Sequence, residues 1–291
     1  MTIREALRTA AERLELHRVS NARLTAELLL AHVLSVSREY LHAHDDRILK
    51  ETESEALENA IYDRVSGVPL QYIVGKQEFY GRYFHVNPFV LIPRPETEFI
   101  IEAALGIKAT RSQTPRCRIL DVGTGSGCIA VTLALEIPGA EVFAADISEE
   151  AVRVARENAH NLHAHVEFAC MDLMDAIDGE FDFIVSNPPY VSPGEVDRLQ
   201  REVRDHEPHV ALFGGLEIYK RLICGATECL HPGGHLIMEI GFGMEEAIAK
   251  LFGEKWDQLP TKTDLQGIPR TIIARYSRGT NRSSDEGLPR N

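Results

Sequence analysis

The residues best equipped for chemistry are Ser186-Asn187-Pro188-Pro189-Tyr190, which follow the apolar run Phe181-Asp182-Phe183-Ile184-Val185. That run reads as a buried strand. Two prolines cannot continue a central strand, because neither donates a backbone hydrogen bond. The strand therefore stops at Asn187, leaving an amide, two rigid rings and an aromatic face at its C-terminal end, where open α/β sheets bind ligands. A nitrogen conjugated to a π system is a poor nucleophile. Its two hydrogens can be held by two acceptors, the Asn187 side-chain oxygen and the Pro188 carbonyl, while Tyr190 packs flat against the planar group. Such a grip suits methyl transfer to a planar NH2 group, with the gain coming from proximity and orientation. Hydride transfer has no obvious use for it. The plain alternative is a turn, which Asn-Pro favours.

A second stretch, Asp121-Val122-Gly123-Thr124-Gly125-Ser126-Gly127, joins a candidate strand to a candidate helix. Glycines permit a tight turn and close backbone approach to a ligand, and the helix start offers unpaired N–H groups. The spacing fits two cofactors. Gly123-x-Gly125-x-Gly127 suits S-adenosylmethionine, and Gly125-x-Gly127-x-x-Ala130 satisfies the dinucleotide pattern. Asp146 ends the next strand, where an acid binds ribose hydroxyls; both cofactors carry that ribose, and a helix-capping Asp before Ser148 is the alternative. Asp172-Leu173 follow the third strand, at the level of an adenine edge. The Asn187 motif favours S-adenosylmethionine. The histidine pairs His42/His44, His163/His165 and His206/His209 lack a matched acid or cysteine set at ligand spacing, so no metal is expected.

Regular β-then-α alternation positions these motifs. Candidate strands are 118–122, 141–145, 165–169, 181–186, 235–240 and 271–274; helices between them include 127–135, 149–160 and 215–230. This predicts a doubly wound parallel sheet over 94–276. Residues 1–75 read as a helical domain. Thr2-x-x-Glu5 and Thr52-x-x-Glu55 form capping boxes, Ser20 or Asn21 caps a second helix with Leu24, Leu28 and Ala31 on one face, and Gly67 and Pro69 end the last helix. Residues 76–93 read as a β-hairpin linker with Gly81-Arg82 in a type II′ turn. Arg94-Pro95-Glu96-Thr97-Glu98 opens a helix through Leu105. The polar stretch 277–291 reads as a disordered tail.

The composition is that of a globular protein, 44% hydrophobic and 26% charged over 291 residues. A net charge of −13 argues against a non-specific grip on nucleic acid and fits a basic protein partner better. No apolar run reaches membrane-spanning length, and no signal-peptide hydrophobic region opens the chain. Five cysteines without a C-x-x-C pair fit reduced thiols, so a cytoplasmic location is expected.

With these residues in place, the chain resembles the HemK-like peptide chain release factor glutamine N5-methyltransferases. The likeness runs through Leu91-Ile92-Pro93-Arg94-Pro95-Glu96-Thr97-Glu98, the glycine loop, Asn187-Pro188-Pro189-Tyr190, Glu207-Pro208-His209-Val210-Ala211-Leu212-Phe213-Gly214-Gly215 and Asp264-Leu265-Gln266-Gly267-Ile268-Pro269-Arg270. The resemblance implies a Rossmann-like seven-stranded methyltransferase sheet with an antiparallel last strand. It implies methylation of the glutamine in the Gly-Gly-Gln motif of release factors, with the N-terminal helices recognising the factor's body. Gly123, Thr124, Gly125, Ser126, Gly127, Asp146, Leu173 and Asn187 would bind S-adenosylmethionine; Leu173 stands where the family often has an aromatic residue. Asn187, Pro188, Pro189 and Tyr190 would bind the target glutamine, and Asn187, Pro188 and Tyr190 would carry catalysis. The rival readings are a ribosomal-protein glutamine methyltransferase and a nucleic-acid adenine methyltransferase.

Overall fold

A computed structural model describes residues 1–110 and 116–277. Of the tail expected over 277–291, all but Ser277 lies outside the described residues. The chain opens with α1 (Ile3–Leu16), α2 (Ala22–Leu34), α3 (Arg38–Ala43), α4 (Glu51–Ser66) and α5 (Leu70–Val74). The first capping box forms as read. Thr2 Oγ1 accepts from the Glu5 N–H at 3.2 Å, and the Glu5 carboxylate accepts from the Thr2 N–H at 2.8 Å. The second shifts by two residues. α4 starts at Glu51, and Glu53, already paired with Arg47, accepts the Lys50 N–H at 2.9 Å. Asn21 precedes α2 in the left-handed region and makes no side-chain cap. The buried face of α2 differs in part: Ala31 is buried as expected, together with Ala26, Leu29 and Leu30, while Leu24 is exposed. That face is rotated to include Glu27, which sits buried under the Arg38 guanidinium.

The hairpin pairs β1 (Lys76–Phe79) with β2 (Arg82–His85), Phe79 opposite Arg82. Its turn residues are therefore Tyr80 and Gly81, both at positive φ (50° and 73°), a type I′ turn rather than a type II′ turn on Gly81-Arg82. Glu98 accepts the Tyr80 N–H and Glu78 that of Gly81, which holds Tyr80 in its unfavourable region. Phe79 and Phe84 meet edge to face and are buried in the main core, so the hairpin is anchored rather than loose.

A short 3-10 turn, Pro95–Thr97, leads into α6 (Glu98–Thr110). The sheet follows: β3 (Cys117–Val122), α7 (Cys128–Glu136), β4 (Ala140–Asp146), α8 (Glu149–Asn161), β5 (Glu167–Cys170), β6 (Phe181–Ser186), α9 (Arg201–His206), α10 (His209–Leu212), α11 (Gly215–Cys229), β7 (Leu230–Glu239), α12 (Glu245–Ala249), β8 (Trp256–Thr263) and β9 (Pro269–Tyr276). The seven strands lie in the order β5-β4-β3-β6-β7-β9-β8. β9 alone runs opposite to the other six strands. Seven strands with one reversed are what the resemblance implies. β8 escaped the sequence pattern because it is an edge strand broken in register between Leu259 and Lys262, around Pro260.

Side chains of β3 alternate between two cores. Cys117 and Ile119 pack with α6 and α7, and Leu120 and Val122 with α11. The winding direction reverses between β3 and β6. Their C-terminal ends therefore form the topological switch point, where a crevice opens above the sheet.

Candidate active site

Both motifs sit at that switch point. Val122 pairs with Ser186 in register, and Ser186 Oγ donates to the Val122 carbonyl at 2.7 Å, so the glycine loop and Asn187 leave neighbouring strands side by side. Between them lies a cavity of about 390 Å³, within the usual range for a small-molecule site.

One half of the cavity is built by the glycine loop. Gly123 and Gly125 have φ of 74° and 54°, and a Cβ on either would meet nothing within 4 Å. Thr124 and Ser126 join them in the lining, but Gly127 does not. Gly127 is the cap residue before α7, at φ 81°, and a Cβ there would stand 3.0 Å from Ala155 Cβ, so it lets α7 approach α8. Asp121 ties the loop down. Its Oδ2 accepts from Thr124 Oγ1 (2.7 Å) and the Ala130 N–H (3.2 Å), and its Oδ1 has no hydrogen-bond partner among the described residues. Burial pushes the Asp121 carboxyl up to about 7, with the nearby Asp146 charge adding to the effect.

Asp146 faces the loop. Its Oδ2 accepts the Gly125 N–H (2.8 Å) and its Oδ1 the Ser148 N–H (2.9 Å), while Ser148, not Asp146, caps α8 through the Ala151 N–H. Each carboxylate oxygen keeps a further lone pair for a ligand. Burial raises the Asp146 pKa, opposed by those backbone donors. Leu173, at φ 51°, lines the cavity with Ile147 and Met171. Open space over two glycines, a carboxylate with spare lone pairs and apolar walls fit a ribose-bearing nucleoside such as S-adenosylmethionine.

The other half is built around Asn187. Its Nδ2 donates to Thr97 Oγ1 at 3.0 Å, and Thr97 Oγ1 donates to Glu239 Oε2 at 2.6 Å. Asn187 is thus held by its nitrogen, and its side-chain oxygen makes no hydrogen bond among the described residues. Thr97 and Glu239 are buried, and burial pushes the Glu239 carboxyl up to about 7. Pro189 lines the cavity; Pro188 is buried and, like Tyr190, lies outside the lining. A Cβ on Gly241 would stand 3.0 Å from the Tyr190 ring, so that ring packs against the backbone at the end of β7.

The outer wall comes from two stretches to which the residue types alone assigned no role. Leu91 and Pro93 lie on one side, Ala211 and Phe213 on the other, with Phe89 and Val210 exposed at the rim. Glu207 joins them, accepting from the Arg94 guanidinium and from the Ile92 N–H at 3.3 Å. Gly214 is obligatory here, since a Cβ would fall 2.3 Å from the Pro189 carbonyl oxygen. Asn158, also unread in the sequence, binds the His85 N–H and carbonyl and the Ser126 carbonyl, joining the hairpin, α8 and the glycine loop. Its signal was an amide on the apolar face of α8, beside Ala155 and Ala159. The signal for Glu239 was a lone acid at the end of an apolar strand.

Residues 5–75 match the PrmC N-terminal domain family, and residues 105–205 the Methyltransferase small domain family. A release factor glutamine methyltransferase from Koribacter versatilis is 47% identical over 280 residues, covering 94% of this chain and 99% of the relative. The chain belongs to the release factor glutamine methyltransferases. A further family member, from Chlorobaculum tepidum, is 40% identical, covering 92% of this chain and 95% of its own. Among solved structures, a ribosomal protein L11 methylase from Lactobacillus delbrueckii subsp. bulgaricus aligns with 63% of this chain and 80% of its own, at 23% identity and a TM-score of 0.47. Membership in the release factor glutamine methyltransferases therefore rests on the sequence relatives. It decides between the two glycine spacings in favour of methyl transfer. Among the described residues, no group of three or more His, Cys, Asp or Glu is placed to hold a metal, and no helix is long and apolar enough to cross a membrane.

Proposed function

We propose that this chain methylates the side-chain N5 nitrogen of the glutamine in the Gly-Gly-Gln motif of peptide chain release factors. The observation that carries the reading is the Asn187 amide, which lines the switch-point cavity and is fixed through its nitrogen, with its oxygen making no hydrogen bond among the described residues. S-adenosylmethionine, when bound, supplies a sulfonium methyl as the electrophile. Gly123, Thr124, Gly125 and Ser126 receive it along the loop, Asp146 takes the ribose hydroxyls, and Leu173 flanks the adenine. Gly127 serves the same site by setting the loop against α8. The Asn187 side-chain oxygen and the Pro188 carbonyl take the two N–H groups of the glutamine amide, aiming its nitrogen at the methyl; Pro189 shapes the wall, and Tyr190 backs the motif from the core side. Orientation supplies most of the gain, so the amide needs no strong base before transfer, and the one N–H proton it gives up is released to solvent.

Residues 1–75 serve as the recognition domain for the body of the release factor, 76–93 link it, and 94–276 carry the chemistry. The Arg64–Glu202 ion pair (2.8 Å) and the Arg201 contact to the Ser66 carbonyl join α4 to α9, next to the cavity wall. The substrate is a protein and not nucleic acid, in keeping with the net charge of −13, and the work is cytoplasmic. The test is mass spectrometry of a release factor incubated with this protein and S-adenosylmethionine, beside a Gly-Gly-Gln→Gly-Gly-Ala control. One added methyl on that glutamine, missing from the control, is expected. Transfer to a ribosomal-protein glutamine or to adenine instead would overturn the reading.

A further inference from the structure

We propose that Glu239 and Thr97 are positioning residues that set which way round the Asn187 amide faces. The inference rests on the proposed role of the Asn187 oxygen as acceptor for the substrate amide. Its basis is donor counting along a buried chain. Thr97 Oγ1 has one proton and touches two groups, Glu239 Oε2 at 2.6 Å and Asn187 Nδ2 at 3.0 Å. An ionised carboxylate only accepts, so it claims the Thr97 proton. Thr97 can then only accept from Asn187, which forces the amide nitrogen toward Thr97 and the oxygen toward the cavity.

A protonated Glu239 undoes this. Its O–H can donate to Thr97, the Thr97 proton becomes available to the Asn187 oxygen, and the amide is equally well bonded after a half-turn about its last bond. An NH2 group would then face the NH2 group of the substrate, two donors with no acceptor between them. The protonation state of one buried acid thus selects between a competent and an incompetent amide. Burial has already pushed the Glu239 carboxyl up to about 7, into the range where the choice is real. The charged and titratable groups around it are Arg94, Arg270, Glu96, Cys128, Tyr190 and Tyr219. Arg94 and Arg270 favour the carboxylate and Glu96 opposes it.

The test compares Thr97→Val, which keeps shape and loses the hydroxyl, with Thr97→Ser, which keeps the hydroxyl, using the full chain, S-adenosylmethionine and release factor. Thr97→Val should lower kcat by about tenfold or more, the usual scale for a misaligned reacting group, with cofactor Kd within about twofold of wild type. Thr97→Ser should recover most of the loss. The wild-type kcat should fall in acid with a midpoint near pH 7, and Glu239→Gln, which cannot titrate, should lack that limb. Equal kcat in the valine and serine variants, or an acid limb that persists in Glu239→Gln, would overturn the proposal. A wild-type protein that transfers no methyl to release factor would instead overturn the reading beneath it, so the two failures are distinct.

Discussion

The glycine loop and the Asn187 corner face each other across one cavity but are held in different ways. In the loop, Asp121 reaches Thr124 and Ala130, three and nine positions on, and Asp146 reaches Gly125, 21 positions back. The Asn187 corner depends on Thr97, 90 positions away, which depends in turn on Glu239, a further 142 positions along the chain. Its outer wall depends on Arg94 and Glu207, 113 positions apart. The half assigned to the cofactor is thus a local construction on one βαβ unit. The half assigned to the substrate exists only when the entry to α6 and the ends of β6 and β7 are packed together.

That difference can be tested from its strongest consequence downward. Asn187→Ala removes the proposed acceptor but nothing from the glycine loop. Steady-state turnover should drop at least about 100-fold while calorimetric affinity for S-adenosylmethionine stays within a few-fold. Asp146→Asn should do the reverse, weakening the cofactor by about 10- to 100-fold, the worth of one charge-assisted hydrogen bond. If the same titration gave an unaltered Kd, the ribose would have to bind elsewhere. Asn158→Ala should act on both halves through stability. It deletes the bonds to His85 and Ser126, and denaturant unfolding should show a loss of about 2–4 kcal/mol. A loss under about 0.5 kcal/mol would mean that water replaces the amide.

The smallest effect concerns pH. Asp121 binds its proton more tightly folded than unfolded, since burial lifts it from 3.8 to about 7. The folded state therefore holds the extra proton between those values, and the stability tied to it fades as pH rises through that window. Asp121→Asn should flatten the fall in unfolding free energy between about pH 4 and pH 7. A slope identical to wild type would place the titration on another group.

The same contrast explains what was legible in the sequence. The glycine loop and Asp146 could be read because their partners lie within one strand–loop–helix unit, where spacing and turn chemistry determine geometry. Asn187 could be read as a chemical group, because two prolines announce the end of a strand. Its orientation could not, because Thr97 looks like an ordinary residue in a helix start and Glu239 like the polar end of a strand. The hairpin was visible, but its turn residues followed from the register Phe79–Arg82, which a glycine alone does not specify. β8 was invisible because an edge strand carrying Pro260 lacks the alternation that marks its neighbours.

The most direct test is single-turnover methyl transfer to release factor, with S-adenosylmethionine saturating, in Asp146→Asn and Asn187→Ala side by side. Saturation should restore Asp146→Asn to within a few-fold of wild type and leave Asn187→Ala about 100-fold slow. Equal deficits in the two variants at saturation would contradict a cavity with separate cofactor and substrate halves.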